Sequence, residues 1–376
     1  MRTRALIDLD AIRDNVAVLR QLAGAAEVMA VVKADGYGHG LVPSARAAIE
    51  GGASWLGVAF LEEALALRQA GLAGPVLAWL TTPGEDLAPA VAAQVDLGIS
   101  SPGGLARAVQ AARDTGATAR LHLKIDTGLS RAGATPADWP ALCDAAAKAE
   151  VDDAVRVTGV WSHFAHADGG PDHPVNLNQA KVFGEALEIA ARAGLRPDVR
   201  HLANSAATLT APATHYDLVR PGLAVYGLSP MPQLGAPAAF GLRPAMSLRS
   251  AVALVKRVPA GAGVSYQHRH VTAAETTLAL VPLGYADGVP RAGTNLLEVS
   301  LRGVRRRIAG TVCMDQFVLD VGDDAVAEGD EVQLFGPGDD GEPTAQEWAE
   351  ALGTIDYEIV TRIGARVPRE YVRAST

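Results

Sequence analysis

The sequence predicts an α/β fold: a (β/α)8 TIM barrel followed by a smaller, mostly β domain. Three observations predict it. Eight short apolar runs recur over about the first 230 residues, each run is continuous rather than alternating in polarity, and alanine-rich amphipathic segments lie between them. Continuous apolar runs belong to parallel strands covered on both faces. Eight of them with intervening helices close into a barrel of ordinary length. An open doubly wound sheet is the alternative.

The elements follow in order. A helix over 10–23 precedes the first strand. Strands are expected at 28–33 (VMAVVK), 54–60, 75–80, 95–100, 119–125 (ARLHLKI), 155–163 (VRVTGVWSH), 199–203 and 217–220. Helical patterns fill 41–51, 61–70, 84–94, 102–115, 136–149, 175–193 and 204–211, with Pro102 and Pro136 placed for first turns and Asn204 and Ser205 for N-caps. The texture changes at SPMPQLGAPAAFGLRP, which reads as a linker. Short strands dominate beyond it, with a turn at 336–341 and one short helix at 344–352. The boundary is drawn between a barrel domain, 1–232, and a β domain, 233–376.

Composition removes several function classes. The chain has 376 residues, 33 basic against 42 acidic, for a formal charge of −9. No basic stripe suggests nucleic acid; Arg305, Arg306 and Arg307 are expected to be a solvated strand end. No apolar stretch approaches the roughly 20 residues of a membrane helix. The opening MRTRALIDLD carries acids where a secretory signal needs an apolar core. Cys143 and Cys313 make neither a disulfide framework nor a zinc cluster. A soluble cytoplasmic protein is the expectation.

In a barrel, loops at the carboxyl ends of the strands build the site. Strand 1 ends in Lys33, strand 5 in Lys124 with Asp126 and Arg131 beyond it, strand 6 in His163, strand 7 in His201 with Asn204 and Ser205, and strand 8 in Arg220. Strands 2–4 end in Phe60, Thr81 and Ser100, and core packing alone does not produce that asymmetry. Only 5 of the 33 basic residues are lysines, so Lys33 closing an apolar run calls for a reason. Desolvation lowers the pKa of such an amine, and the neutral form attacks carbonyls. A lysine snorkelling from the rim is the other reading. Gly36, Gly38 and Gly40 permit close backbone approach, and Tyr37 offers a hydroxyl to an anion, but the spacing is not the dinucleotide fingerprint.

Two further segments suit phosphate. HLANSA at 201–206 sets Ser205 where a helix begins, and RPGLAVYG at 220–227 supplies amides around Gly222 and Leu223. Ser205 is otherwise a plain cap, and Arg220 either reaches a ring nitrogen or pairs with an acid. In KIDTGLSRAG, Arg131 is a natural fork for a substrate carboxylate; an internal Lys124–Asp126–Arg131 ion network is the alternative. His163 and His166 near Asp168, Asp172 and His173 raise a metal site with a carbamylated Lys124, but Lys33 occupies the position that a His-x-His pair would need. No metal is expected. In the β domain, Tyr266 of GVSY is a general acid–base if a cation lowers its pKa from about 10, or a packing tyrosine.

Taken together, AVVKADGYGHG, LKIDTGLSRAG, WSHFAHAD, HLANSA, VRPGLAVYG, GVSY, GYADGVPR, TVCMDQ and RVPR make the sequence closely resemble the alanine racemases from about residue 5 to 372. The resemblance implies pyridoxal phosphate (PLP) bound at Lys33, with Lys33 and Tyr266 as catalytic bases on opposite faces of an amino-acid substrate. It implies Arg220 at the pyridine nitrogen, with His163, His201 and Asn204 in support. Tyr37, Ser205, Gly222, Leu223 and Tyr226 would serve the cofactor, Arg131 the substrate carboxylate, and Lys124 would stand beside it, carbamylated. Tyr266 and Met314, supported by Asp315, would enter the other subunit's site in a head-to-tail homodimer, and residues near 3–8 would pair with the β domain. The implied activity supplies D-alanine for peptidoglycan. One departure matters: many relatives carry tyrosine before RVPR, where this chain has Ala365, which opens a broader or serine-preferring racemase as the alternative. A non-catalytic PLP-binding barrel is the reading from another class, and it lacks the C-terminal β domain.

Overall fold

The computed structural model describes residues 2–373. Strand β1 (Thr3–Asp8) comes first, ahead of the helix Leu9–Ala23, whose N-cap Asp8 accepts from Ala11 N at 2.9 Å. Then come β2 (Glu27–Val31), β3 (Trp55–Val58), β4 (Val76–Ala78), β5 (Asp96–Ile99), β6 (Ala119–Lys124), β7 (Val155–Trp161), β8 (Val199–His201) and β9 (Leu218–Val219). β2 through β8 pair in sequence, all parallel, and β9 returns to β2. The last seam is drawn together by backbone bonds from Asp217 N to Arg200 O (3.1 Å) and Arg220 N to Ala203 O (2.9 Å). A bidentate Arg200–Asp217 pair reinforces it and holds that carboxyl below its ordinary pKa. The eight parallel strands form the nearly closed barrel that the continuous apolar runs imply.

Side-chain volume explains why several strand positions are glycine. A Cβ on Gly57 would meet Met29 Sδ at 2.8 Å, one on Gly98 the Trp79 Cα at 2.7 Å, and one on Gly159 the His122 ring at 2.3 Å. Bulky rings from neighbouring strands need that room, because protein interiors pack without slack. Met29, Trp55, Leu77, Val199 and Leu218 form one buried cluster, separate from the larger core.

The second region carries β10 (Met246–Ala251), β11 (Leu254–Val258), β12 (Gly263–Val264), β13 (His270–Val271), β14 (Thr276–Val281), β15 (Glu298–Leu301), β16 (Val304–Arg307), β17 (Phe317–Gly322), β18 (Glu331–Phe335) and β19 (Arg369–Val372). β1 inserts into this region's six-stranded sheet, antiparallel to β10 and parallel to β19. The run Arg305–Arg307 lies on the edge strand β16, and each guanidinium has an acid: Glu347, Asp324 and Glu298 respectively. Sequence alone suggested solvation there; pairing across the fold was not visible in it. The helix expected at 84–94 contracts to Ala88–Ala92, and the one after Pro136 begins at Trp139, with Pro140 in its first turn. No helix among the described residues is long and apolar enough to cross a membrane.

Candidate active site

The chain leaves β2 through a left-handed turn. Ala34, Asp35, Gly36, Tyr37 and Gly38 all have positive φ, between 52° and 80°. Three of these are not glycine, which costs roughly 1–2 kcal/mol each. Glu63 offsets this cost by accepting from Ala34 N (2.6 Å), Ala59 N (3.0 Å) and Phe60 N (3.2 Å), and Asp35 accepts from Leu41 N. At Gly38 a side chain is excluded altogether, since a Cβ would lie 2.5 Å from Val360 O. Lys33 stands at the head of this turn, half-buried. Its amine pKa is lowered, chiefly by burial and then by Arg131, against an opposing pull from Glu63.

Arg220 is buried and has no carboxylate partner among the described residues. Its guanidinium donates to Ser162 O (2.7 Å), His201 Nδ1 (3.0 Å), His163 Nδ1 (3.3 Å) and Leu202 O (3.3 Å), above the Trp161 ring. Because arginine only donates, His201 must accept at Nδ1 and carry its hydrogen on Nε2. That nitrogen therefore donates to His122 Nδ1 at 2.8 Å, which leaves His122 Nε2–H directed at Asp96 Oδ1, 3.3 Å away. The tautomers follow from the bonding. Burial keeps His201 neutral, its pKa well below the ordinary value, with Arg220 adding to the effect. Burial also opposes charge on Asp96, yet the bonds from Arg120 and Thr158, with the His122 ring 3.3 Å away, hold its carboxyl below the ordinary range. A directional line thus runs Arg220 → His201 → His122 across the barrel, with Asp96 Oδ1 at contact distance beyond it and no hydrogen bond formed to it.

Cations crowd the same rim. Burial, then Arg220 and Arg131, bring Lys124 down to about 8, with its Nζ 4.3 Å from the Trp161 centroid. His163 lies well below its ordinary pKa through burial and the fields of Arg220, Arg131, Lys124 and Lys33. Arg131 is exposed. Asp126 does not pair with it; one Asp126 oxygen accepts from Gly128 N, Leu129 N and Ser130 N instead, which shapes the loop. The internal ion network is therefore not formed.

Beside this cluster, Ser205 Oγ accepts from Gly222 N (2.8 Å) and Ala224 N (3.3 Å), which leaves its own hydrogen free to donate. Sequence reading took the Gly222 amide as free; here the serine engages it. A Cβ on Gly222 would lie 2.3 Å from the Tyr37 hydroxyl, so Tyr37, Ser205, Gly222 and neighbouring Leu223 meet at one point. Asn204 caps the helix Ser205–Thr210 through Ala207 N. Tyr226 is wholly buried, stacked on Tyr37 at 4.9 Å, and its hydroxyl donates to Val31 O.

Tyr266 stands apart from this group. It is 70% exposed, with Met314 53% and Tyr285 43% exposed on the same loop system of the β domain. Its loop is fixed by Ser265 Oγ to Thr311 O and Thr311 Oγ1 to Tyr266 O, while Asp315 pairs with Arg366 at 2.8 Å.

The sequence and the architecture match known proteins over nearly the whole chain. Residues 7–230 match the family described as alanine racemase, N-terminal domain, and residues 245–371 match alanine racemase, C-terminal domain. The chain belongs to the alanine racemase family. The alanine racemase of Frankia casuarinae is 67% identical over 372 residues, 99% of this chain and 97% of that protein. That of Thermobifida fusca is 60% identical, covering 98% of each. The crystal structure of alanine racemase from Streptomyces lavendulae superposes with a TM-score of 0.97 at 55% identity, covering 99% of this chain and 97% of the other. This racemase-family chain also contains site elements that sequence reading passed over. His122 and Asp96 lie mid-strand and at a strand start, away from the loops searched. Glu63 reads as an ordinary first-turn acid, and its signal would have been a capping glutamate three residues after a strand end.

Proposed function

We propose that this chain interconverts L- and D-alanine with PLP as its cofactor, Lys33 and Tyr266 being the two bases. One observation carries the reading: a buried guanidinium with no carboxylate partner among the described residues converges with two lysines whose pKa is lowered by burial and neighbouring arginines, against weaker pulls from Glu63 and Asp126. Such a cluster suits an anionic, carbonyl-bearing group. The residues fit PLP: Lys33 for its aldehyde, Tyr37, Ser205, Gly222 and Leu223 for its phosphate, with Tyr226 behind Tyr37, and Arg220 for its ring nitrogen. When bound, PLP supplies an electron sink that acidifies the substrate Cα–H.

The chain's own groups do the rest. Arg131, which has no hydrogen-bond or ion-pair partner among the described residues, takes the substrate carboxylate. Lys33, with its lowered pKa, accepts or returns the Cα proton on one face. The Tyr266 phenol does so on the other face, and its exposure supports delivery from a second subunit, with Met314 beside it and Asp315 holding the loop. His163 and His201, both neutral, position Arg220 without adding charge of their own, and Asn204 starts the helix that presents Ser205. Lys124, partly neutral near pH 8, is suited to carbamylation next to Arg131. A cytoplasmic homodimer supplying D-alanine for peptidoglycan is the setting that accords with this chemistry. Ala365 is exposed and small, so serine and larger L-amino acids belong in the same assay. Wild type is expected to racemise L-alanine, Lys33→Ala to lose both cofactor attachment and turnover, and Tyr266→Phe to lose turnover while retaining the cofactor. Unchanged optical rotation with PLP-loaded wild type would overturn the proposal.

A further inference from the structure

A cavity of about 270 Å³ lies where the segment after Tyr226 meets the helices Ala345–Leu352 and Asp356–Thr361. Among the proposed active-site residues only Tyr226 lines it. Its walls are largely apolar, including Tyr226, Met246, Phe335 and Val360. Its polar lining comprises Ser229, Thr344, Gln346, Glu347 and Glu350 together with His39 and Asp356, the two most deeply buried, exposed by only 1% and 3%.

Both carry a polar atom without a partner. His39 Nδ1 lies 3.0 Å from Gly36 O and from Tyr37 O. Carbonyls only accept, so Nδ1 bears the hydrogen and Nε2 is a bare acceptor, with nothing bonded to it. Burial keeps the ring neutral, its pKa lowered to about 4. Asp356 Oδ2 is likewise unpartnered, and burial raises that carboxyl to about 7, so near neutrality the protonated acid is well populated and offers a donor. Buried polar atoms are ordinarily satisfied. Water would meet the polar pair yet leave the apolar walls unfilled. An apolar cavity of ~150 Å³ already accommodates a benzene ring, so this one has room for a ring and a substituent.

We propose that the cavity binds a small neutral aromatic alcohol, its ring against Tyr226, Met246, Phe335 and Val360 and its hydroxyl between His39 and Asp356. A hydroxyl matches both partners at once: it donates to Nε2 and accepts from the protonated carboxyl. The site does not depend on the racemase reading, and its test does not use turnover.

The probe is para-fluorophenol, followed by fluorine NMR on the PLP-loaded protein, with fluorobenzene as the analogue lacking the hydroxyl. Saturable binding of the phenol is expected, with fluorobenzene at least about tenfold weaker for want of its hydrogen bonds. Ala236→Phe, on an exposed lining residue, should abolish binding without moving the unfolding midpoint. Asp356→Asn, which still presents a donor and an acceptor, should retain it, and Asp356→Ala should weaken it to the level of fluorobenzene. Absence of saturable binding to wild type would overturn the proposal. So would binding that survives Ala236→Phe, or equal affinity for the two probes.

Discussion

The line Arg220–His201–His122 makes a directional claim, and His122 is where to test it. His122 accepts from His201 at Nδ1 and directs its Nε2–H at Asp96. Asparagine sets its amide oxygen near the place of Nδ1 and keeps the first contact. Glutamine sets its amide nitrogen near Nε2 and keeps the second, and leucine keeps neither. The two neighbours are not equally exposed to the loss. Asp96 retains Arg120 at 3.0 Å and Thr158 at 2.7 Å. His201 Nε2–H has no other partner among the described residues, and its residue is fully buried. An orphaned buried donor costs about 1–3 kcal/mol, and a lost contact to a charged group up to about as much. Leucine should therefore destabilise by about 2–5 kcal/mol, glutamine by about 1–3, and asparagine by the weak 3.3 Å contact alone. Because His201 holds Arg220, cofactor affinity should follow the His201 contact: asparagine near wild type, glutamine and leucine about tenfold weaker, which corresponds to 1.4 kcal/mol of misplaced guanidinium. Urea unfolding measures the first series, and absorbance titration of apoprotein with PLP measures the second. A glutamine variant that binds PLP more tightly than the asparagine variant would show donation running the other way. A leucine variant with the wild-type urea midpoint would show that no such line operates.

Gly222→Ala should lower PLP affinity about tenfold or more and also lower the urea midpoint, since the added Cβ would lie 2.3 Å from the Tyr37 hydroxyl and 3.0 Å from its Cζ, on a ring buried against Tyr226; titration and urea unfolding measure the two effects. Lys124 is brought to about 8 from an unfolded value near 10.5, so the unfolded chain holds its proton more tightly. Stability should rise as pH climbs from about 8 to about 10.5. Lys124→Met should flatten that rise in carbon-dioxide-free buffer and gain up to about 3 kcal/mol at neutral pH, read from urea midpoints. Asp356 has the opposite sign: its folded value of about 7 exceeds the ordinary carboxyl value of 3.8, so stability falls as pH rises through that window. Asp356→Asn should stabilise by up to about 4 kcal/mol above pH ~7 and by nothing near pH ~3, measured by thermal melts across pH.

Much of this was legible in sequence because strand ends announce themselves. Lys33, Lys124, His201 and Arg220 each close an apolar run, so periodicity located the rim before any coordinates did. The relay was not legible for the converse reason. His122 sits inside ARLHLKI and points between strands, where a histidine reads as packing, and only the pairing of β6 with β7 and β7 with β8 brings it to His201. The turn at 33–38 was half visible. Its glycines signalled close approach, but nothing in the sequence announces that Ala34, Asp35 and Tyr37 also take left-handed φ, since local propensity opposes it. Pro136 reads as a first-turn marker, but Thr135 Oγ1 takes Asp138 N ahead of the helix, which begins at Trp139; the helix expected from 84 begins at Ala88, where Asp86 takes the first amide.

The strained turn bears on why the two proposed bases come from different domains. Its left-handed residues fold the chain back at the end of β2, so Lys33 stays at the rim while Tyr37, four residues on, reaches Gly222. Backbone strain of this kind persists where the surroundings over-determine it, and here Glu63, Asp35 and Val360 do so. Lys124, Arg131, His163, Arg220 and the Ser205 cluster take the ends of β6 to β9, while β3, β4 and β5 are followed by Phe60, Thr81 and Ser100, none of them a base. These strand ends offer no second base opposite Lys33. It must approach from outside the barrel, on a loop whose own fixing bonds lie elsewhere. Tyr266 meets that requirement, its ring exposed while Ser265 and Thr311 hold its backbone. On this argument, mixing inactive Lys33→Ala with inactive Tyr266→Phe protein should restore activity. Subunit exchange creates one hybrid site with both bases intact, up to about a quarter of the wild-type sites under random pairing. Complementation that fails although exchange is demonstrated by mass would place both bases in one chain.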